Sequence, residues 1–395
     1  GPALARMTRF TRNQEYFKNS YLFDIEICSY MDCPIMPELL KDRFFTPNSL
    51  RDFGEAIKKH HIDFDVDVFL SSVQSGVWSS LELKARMRHV TIHIHKQLPQ
   101  SYENAITILM ETASDAKGFE AMALPDYAEL YGLDYWDISM AALKRFTRFS
   151  SSEFAIRPFL IQNLEGAMKM VSECADDEHE NVRRFASEGC RPRLPWAMAV
   201  PALKKDPTPI LPILEKLKDD SSEFVRRSVA NNLNDISKEH LETALEVAGR
   251  WLGTSEETDK LVKHAMRTLL KAGNTRAMRL FGFGDPKNIG IENFTLGQDT
   301  ITIDETTNFS LDLIVNETEP SIIRVEFAMF YVKANGKLSK KVFKLREKEY
   351  EPGSYHIVRK YGFVNMSTRK IYPGEHFISI IVKGVEKAKQ RIEVL

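Results

Sequence analysis

Asp176-Asp177-Glu178-His179-Glu180-Asn181-Val182-Arg183-Arg184-Phe185-Ala186-Ser187-Glu188 is answered 43 residues later (219 less 176) by Asp219-Asp220-Ser221-Ser222-Glu223-Phe224-Val225-Arg226-Arg227-Ser228-Val229-Ala230-Asn231. Each copy opens on aspartates, passes through Val-Arg-Arg and ends in small residues. A phrase recurring at that interval marks a helical-pair repeat of the HEAT or armadillo kind. One such pair cannot bury its apolar face alone, so neighbours stack into a solenoid with a concave surface. Val262-Lys263-His264-Ala265-Met266-Arg267 is a decayed third copy, as expected of a repeat that caps the stack.

Outward from these copies, helical spacing runs from Asn48 to about Phe281. Leu83, Met87, Val90, Ile94 and Leu98 recur at three- and four-residue intervals. Ser101–Ser114, Asp137–Phe149, Glu153–Asn163, Leu211–Leu217, Phe224–Ile236, Leu241–Trp251 and Leu261–Leu270 are expected helices on the same grounds. Gly282-Phe283-Gly284-Asp285-Pro286-Lys287-Asn288-Ile289-Gly290 breaks the pattern. After it the period becomes two: Thr300–Ile303, Phe309–Val315, Ile323–Val332, Lys341–Lys344, Ser354–Lys360 and Phe377–Val382 are expected strands, punctuated by Asn335-Gly336, Pro352-Gly353 and Pro373-Gly374. About seven short strands in about 100 residues are expected to form an immunoglobulin-like sandwich. The expected organisation is an N-terminal extension (1–35, with Gly1-Pro2 resembling a protease scar), a HEAT-like α-solenoid (36–283), a linker (284–290) and the all-β sandwich (291–395).

The bulk numbers bound the function. A net charge of -1 gives no global attraction to nucleic acid, so such a partner requires basic residues gathered on one face. Cys28, Cys33, Cys174 and Cys190 form no Cys-x-x-Cys pair and read as reduced cytosolic thiols. No apolar run is long enough to span a bilayer, and no secretion signal is evident, so four Asn-x-Ser/Thr sequons read as chance. His89, His93 and His95 have metal-like spacing, but no carboxylate completes a set and exposed histidines on a basic helix are the plainer reading. Gly282-x-Gly284 lacks the third glycine of a dinucleotide site. Neither a nucleophile elbow nor a phosphate loop is present.

Three longer phrases carry more. They are Ser152-Glu153-Phe154-Ala155-Ile156-Arg157-Pro158-Phe159-Leu160, Ser187-Glu188-Gly189-Cys190-Arg191-Pro192-Arg193-Leu194-Pro195-Trp196, and Val225 to Lys238 with Asn231-Asn232-Leu233-Asn234-Asp235 at its centre. Together, and with Glu82-Leu83-Lys84-Ala85-Arg86-Met87-Arg88-His89, they resemble the HEAT-like alkylpurine DNA glycosylases, more closely the AlkC branch than the AlkD branch. The resemblance covers roughly Pro37 to Phe283, and the strand-rich tail matches the immunoglobulin-like domain that some AlkC members carry.

That resemblance implies a monofunctional DNA glycosylase, without metal or cofactor, that excises cationic bases such as 3-methyladenine, 3-methylcytosine and 1-methyladenine from duplex DNA without flipping them. It implies catalytic roles for Glu153, Glu188 and Asp235 and a sugar contact for Trp196. Arg157, Arg184, Arg191, Arg193 and Arg227 are candidates for phosphate contacts, joined in the tail by Arg359, Lys360, Arg369 and Lys370. Spacing supports part of this: aligning the phrases sets Glu188 opposite Asn231, and Asp235 lies one turn beyond on the same face. A monomer acting in the cytoplasm is expected. Plainer roles stand beside these. Repeat acids commonly cap helices, with Ser152-Glu153 and Asp219-Asp220 the most cap-like. A tryptophan after proline commonly plugs a core, and repeated arginines commonly build an ion-pair ladder. The competing function is a non-catalytic scaffold that binds DNA or protein.

Overall fold

A computed structural model describes residues 44–283, 286–366 and 370–395. The extension at 1–35 and Arg369 lie outside the described residues. The chain divides into two compact units, with the division between Ile236 and Ser237.

The first unit is helical: α1 (Pro47–His60), α2 (Val66–Val73), α3 (Leu83–His95), α4 (Tyr102–Thr112), α5 (Ala123–Tyr131), α6 (Trp136–Thr147), α7 (Ile156–Gln162), α8 (Leu164–Cys174), α9 (Glu180–Glu188), α10 (Pro201–Lys205), α11 (Leu211–Leu217) and α12 (Glu223–Ile236). Local chemistry sets the ends. Thr46 Oγ1 accepts from the Ser49 amide ahead of Pro47 in the first turn of α1, and Ser101 caps α4 in the same way. The stripe predicted from Leu83 onward is buried: Met87, Val90 and Ile94 on α3 are closed to solvent.

The two copies of the phrase fold alike. Asp177 Oδ1 accepts from the His179 amide at 3.0 Å, and Asp220 Oδ1 accepts from the Ser222 amide at 2.9 Å. Arg183 donates to the carbonyls of Asp177 and Glu178, and Arg226 donates to those of Asp220 and Ser221. The aspartates therefore shape the turn before each helix. Arg183 also grips Asp220 of the next copy with Nε and Nη2, at 2.6 and 3.0 Å, while Asp177 receives Lys144 at 3.0 Å and Arg148 at 3.3 Å from α6 side. The first arginine of the phrase thus belongs to an ion-pair ladder between repeats.

The second unit begins with α13 (Leu241–Trp251), α14 (Glu256–Ala265), α15 (Arg267–Lys271) and α16 (Thr275–Leu280). The single helix expected over Leu261–Leu270 is broken at Met266, whose ψ of 2° leaves the helical range. Eight strands follow: β1 (Ile289–Leu296), β2 (Thr300–Ile301), β3 (Thr306–Val315), β4 (Ser321–Val332), β5 (Leu338–Tyr350), β6 (Gly353–Gly362), β7 (Gly374–Val382) and β8 (Val385–Val394). They form a β1-β3-β6 sheet and a β2-β8-β7-β4-β5 sheet, antiparallel except for the short β2–β8 pair. Phe309, Leu311, Leu313, Val325, Phe327, Ile378 and Ile380 fill the space between them. The helices of this unit pack on the sandwich. Lys263 on α14 pairs with Glu347 on β5, which also receives buried Arg324 at 2.8 Å. Gly273 and Gly384 cross backbone to backbone: a Cβ on Gly384 would lie 2.8 Å from the Gly273 carbonyl oxygen.

Candidate active site

The phrase ends of the first unit converge on a buried chain of alternating charge. Glu153 lies in the turn before α7, Arg184 and Glu188 on α9, Arg191 just beyond it, and Asp235 near the end of α12. Arg184 Nη1 donates to Glu153 Oε2 at 2.5 Å and its Nη2 lies 3.5 Å from Glu188 Oε1. Arg191 joins the two helices: Nη1 donates to Glu188 Oε1 at 2.6 Å and Nε to Asp235 Oδ2 at 2.9 Å. All five side chains are buried. Three carboxylates alternate with two guanidiniums along this chain, and the buried Arg157 guanidinium lies in the field of Glu188 and Asp235.

The carboxylates are not equivalent. Glu188 is saturated, with Oε1 facing both arginines and Oε2 accepting from Ser228 Oγ at 2.5 Å. Burial pushes its carboxyl up. Arg191, Arg184 and the Ser228 hydroxyl outweigh burial and hold it below the ordinary value, so it is ionised at neutral pH. Glu153 has a different balance. Its Oε2 is fixed by Ser151 Oγ at 2.7 Å and by Arg184, whereas Oε1 has no hydrogen-bond partner among the described residues. One oxygen is anchored and the other is available to accept.

Beside this chain, residues 189–200 form the loop between α9 and α10. Trp196 stands on it with a φ of 62°, in the left-handed region that a non-glycine residue adopts at a cost of about 1–3 kcal/mol. Its side chain is 57% exposed, so it plugs no core. Lys84 on α3 donates to the Trp196 carbonyl at 2.9 Å, and its ammonium lies 5.1 Å from the centre of the Phe154 ring, next to Glu153.

Several expectations need correction. Arg157 is fully buried, with Nε donating to the Met198 carbonyl at 2.8 Å and Nη1 to the carbonyls of Gly189 at 3.1 Å and Arg191 at 2.7 Å. Burial lowers its pKa to about 10, which still leaves it protonated. A guanidinium so enclosed makes no phosphate contact. Arg184 and Arg191 are committed to carboxylates rather than displayed. Arg193 is exposed and Arg227 half-buried, and in the second unit Arg359, Lys360 and Lys370 are exposed. The Ser152-Glu153 pair does not cap α7: Ser152 Oγ donates to the Leu143 carbonyl, and no side chain caps that helix. The histidines are not a solvated face either. His93 is buried, His89 meets the Val73 carbonyl and His95 the Tyr127 hydroxyl. Among the described residues no cluster of His, Cys, Asp and Glu is placed to hold a metal. Lys84, Ser151 and Ser228 are the members that sequence reasoning missed. Lys84 stood within a quoted phrase, but nothing local to it pointed 112 residues ahead to Trp196.

A helical-repeat unit with a carboxylate–guanidinium chain at its repeat ends, followed in sequence by an immunoglobulin-like sandwich, defines the class. Residues 290–395 match the family described as "Uncharacterised protein YhaZ, C-terminal Ig-like domain". The Bacillus subtilis (strain 168) protein described as "Uncharacterized protein YhaZ" is 44% identical over 336 residues, 83% of this chain and 93% of that protein. The structure of the Pseudomonas fluorescens alkylpurine DNA glycosylase AlkC, bound to DNA containing an abasic-site analogue, aligns with a TM-score of 0.86 at 36% identity, over 90% of this chain and 99% of that one. The chain belongs to the AlkC family of alkylpurine DNA glycosylases.

Proposed function

We infer that this protein hydrolyses the N-glycosidic bond of alkylated bases in duplex DNA, with cationic lesions such as 3-methyladenine, 3-methylcytosine and 1-methyladenine as its substrates. The observation that carries the reading is the Glu153 carboxylate, fixed through one oxygen with the other open, in a buried chain of alternating carboxylates and guanidiniums. An N-alkylated base already bears positive charge. When the C1′–N bond breaks, the bonding pair neutralises the base as it leaves, and no general acid is needed. The sugar acquires oxocarbenium character, which anionic groups stabilise. A water accepted by Glu153 Oε1 attacks C1′ and gives its proton to that carboxylate. Glu188 and Asp235 sustain the field. Arg184 and Arg191 hold the three carboxylates close enough to act without neutralising them completely.

Such chemistry needs access to the sugar rather than to the base. It is therefore compatible with a lesion left stacked, in contrast to enzymes that extrude the base into a pocket. Trp196, exposed on its loop, is suited to pack on the lesion sugar with its ring face toward the developing cation. Arg193 and Arg227 are the phosphate contacts left after Arg157, Arg184 and Arg191 are withdrawn, with Arg359, Lys360 and Lys370 as a second set on the sandwich. Arg369 belongs to the same stretch but lies outside the described residues. We place the activity in the cytoplasm, on chromosomal DNA, as a monomer. No helix among the described residues is long and apolar enough to cross a membrane.

The test is base release from methylated duplex under single-turnover conditions, comparing 3-methyladenine, 7-methylguanine and 3-methylcytosine. Glu153→Gln is expected to lower the rate about a hundredfold or more, the usual span of a positioned base. Full activity in Glu153→Gln, Glu188→Gln and Asp235→Asn together would remove this site. Salt-sensitive duplex binding without release by the wild type would leave a DNA-binding protein without the chemistry.

A further inference from the structure

We propose that Arg157 and Lys84 are positioning residues that clamp the 189–198 loop and so present Trp196 to the DNA in a preset left-handed conformation. This rests on the glycosylase reading only for what Trp196 meets; the clamp itself stands on this chain's geometry.

Within the loop, Arg191 pairs with Glu188 and Asp235, Leu194 is buried, and the Ala197 amide donates to the Leu194 carbonyl at 3.3 Å. The loop contains Pro192 and Pro195, and Trp196 and Met198 point outward, with exposures of 57% and 49%. Arg157 ties the two ends of the loop together. Its planar fork reaches the loop's start, through the Gly189 and Arg191 carbonyls, and its far end, through the Met198 carbonyl. One rigid group thus fixes both ends of the segment that carries Trp196. Lys84 acts from the other side, on the carbonyl of Trp196 itself. The remaining Arg157 nitrogen, Nη2, is buried and has no hydrogen-bond partner among the described residues. Lys84 also lies over Phe154, so the turn that bears Glu153 and the loop that bears Trp196 are tied to one another.

A clamp and a phosphate contact make opposite predictions. Removing a phosphate contact on B-form DNA lowers the salt dependence of log K by about 0.9 per contact. Arg157→Lys keeps the charge and loses the fork. It is expected to leave the salt slope of duplex binding unchanged and to slow single-turnover release at least tenfold. It is also expected to change acrylamide quenching of Trp196, isolated as the difference between variants with and without Trp196→Phe. Should Arg157→Lys fail to fold, as judged by circular dichroism, the surface variant Lys84→Met reads the same clamp through the same quenching difference. A salt slope reduced by about 0.9 with unchanged Trp196 quenching would overturn the proposal in favour of a phosphate contact. Unchanged quenching and unchanged release would overturn it outright. A quenching change in a protein that releases no base would leave the clamp standing and remove the glycosylase reading.

Discussion

Glu188→Gln separates what holds the site together from what performs its chemistry. The substitution keeps the shape of a side chain that is 1% exposed and removes its charge. Arg191 and Arg184 lose a shared partner, and one of the two terminal atoms becomes an N–H donor aimed at a guanidinium or at Ser228. Stripping one partner from a buried pair costs about 3–5 kcal/mol. Gln retains one acceptor and Asp235 still holds Arg191, so the lower end applies, about 3 kcal/mol. In a helical unit of this size each kcal/mol moves the melting temperature by about 2–4 °C, giving a fall of about 6–12 °C. The sign with pH follows from the depressed carboxyl. Its contribution is complete above the unfolded value, about 4.3, and is lost as pH falls through the lower folded value. The gap in melting temperature between wild type and Glu188→Gln should be widest near neutrality and close as pH drops from about 4.3. Thermal melts by circular dichroism between neutral and acid pH measure both. A melting temperature within about 2 °C of wild type, or a gap that stays constant into acid, refutes the buried-pair argument.

Four further outcomes follow from the same geometry. Glu153→Gln should cost less stability than Glu188→Gln and more catalysis, because one oxygen of Glu153 is unpaired; equal losses in both assays by both variants would deny the division. Arg193→Ala and Arg227→Ala should each reduce the salt slope of duplex binding by about 0.9, with release at saturating protein little changed. Gly384→Ala should destabilise the second unit by about 2 kcal/mol or more, since φ is 82° and the new Cβ meets the Gly273 carbonyl; denaturant melts of the full chain report it. Deleting 288–395 should raise hydrogen exchange across α13–α16, which pack on the sandwich, and unaltered protection there would contradict that packing.

The sequence was legible where period and chemistry agreed. Leu211–Leu217 and Leu241–Trp251 fold with the boundaries their apolar spacing predicts. β1 was missed because a bulge between Glu292 and Thr295, with Asn293 at a φ of 49°, breaks its alternation. β8 was missed because Glu386, Lys387, Lys389, Arg391 and Glu393 swamp the inward Ile392 and Val394. In the site, spacing set Glu188 and Asp235 on neighbouring repeat helices, Glu153 was placed by the resemblance alone, and the partners of the arginines could not be read from the phrases. Whether a guanidinium faces phosphate, carboxylate or carbonyl depends on what packs over it, and for Arg157 that is the loop at 189–198. Trp196 was ambiguous for a related reason: a proline before tryptophan is equally consistent with a buried plug and a projecting loop, and only the exposure of the side chain distinguishes them.

One local phrase builds both scaffold and site because its two arginines are adjacent. Successive residues on a helix point about 100° apart, so Val-Arg-Arg sends one guanidinium to the neighbouring repeat and the next to a different face. In the first copy Arg183 takes Asp220 and the turn carbonyls, while Arg184 reaches Glu153 and Glu188. In the second copy Arg226 keeps the turn carbonyls, so the structural half of the phrase is conserved between copies within this chain. The other half is not: Glu188 is matched by Asn231, and Asp235 aligns with Pro192. A repeat that must stack is constrained at the ladder, whereas the adjoining face is free to differ from copy to copy. The asymmetric chain of charge therefore arises where the repeats stop resembling each other. Exchanging the two halves tests this: Arg183→Ala should lower stability with little effect on release by the folded protein, and Arg184→Ala should lower both, because it frees Glu153 from its anchor. Equal loss of release by the two variants at matched folded fraction would show that ladder and site are not separable.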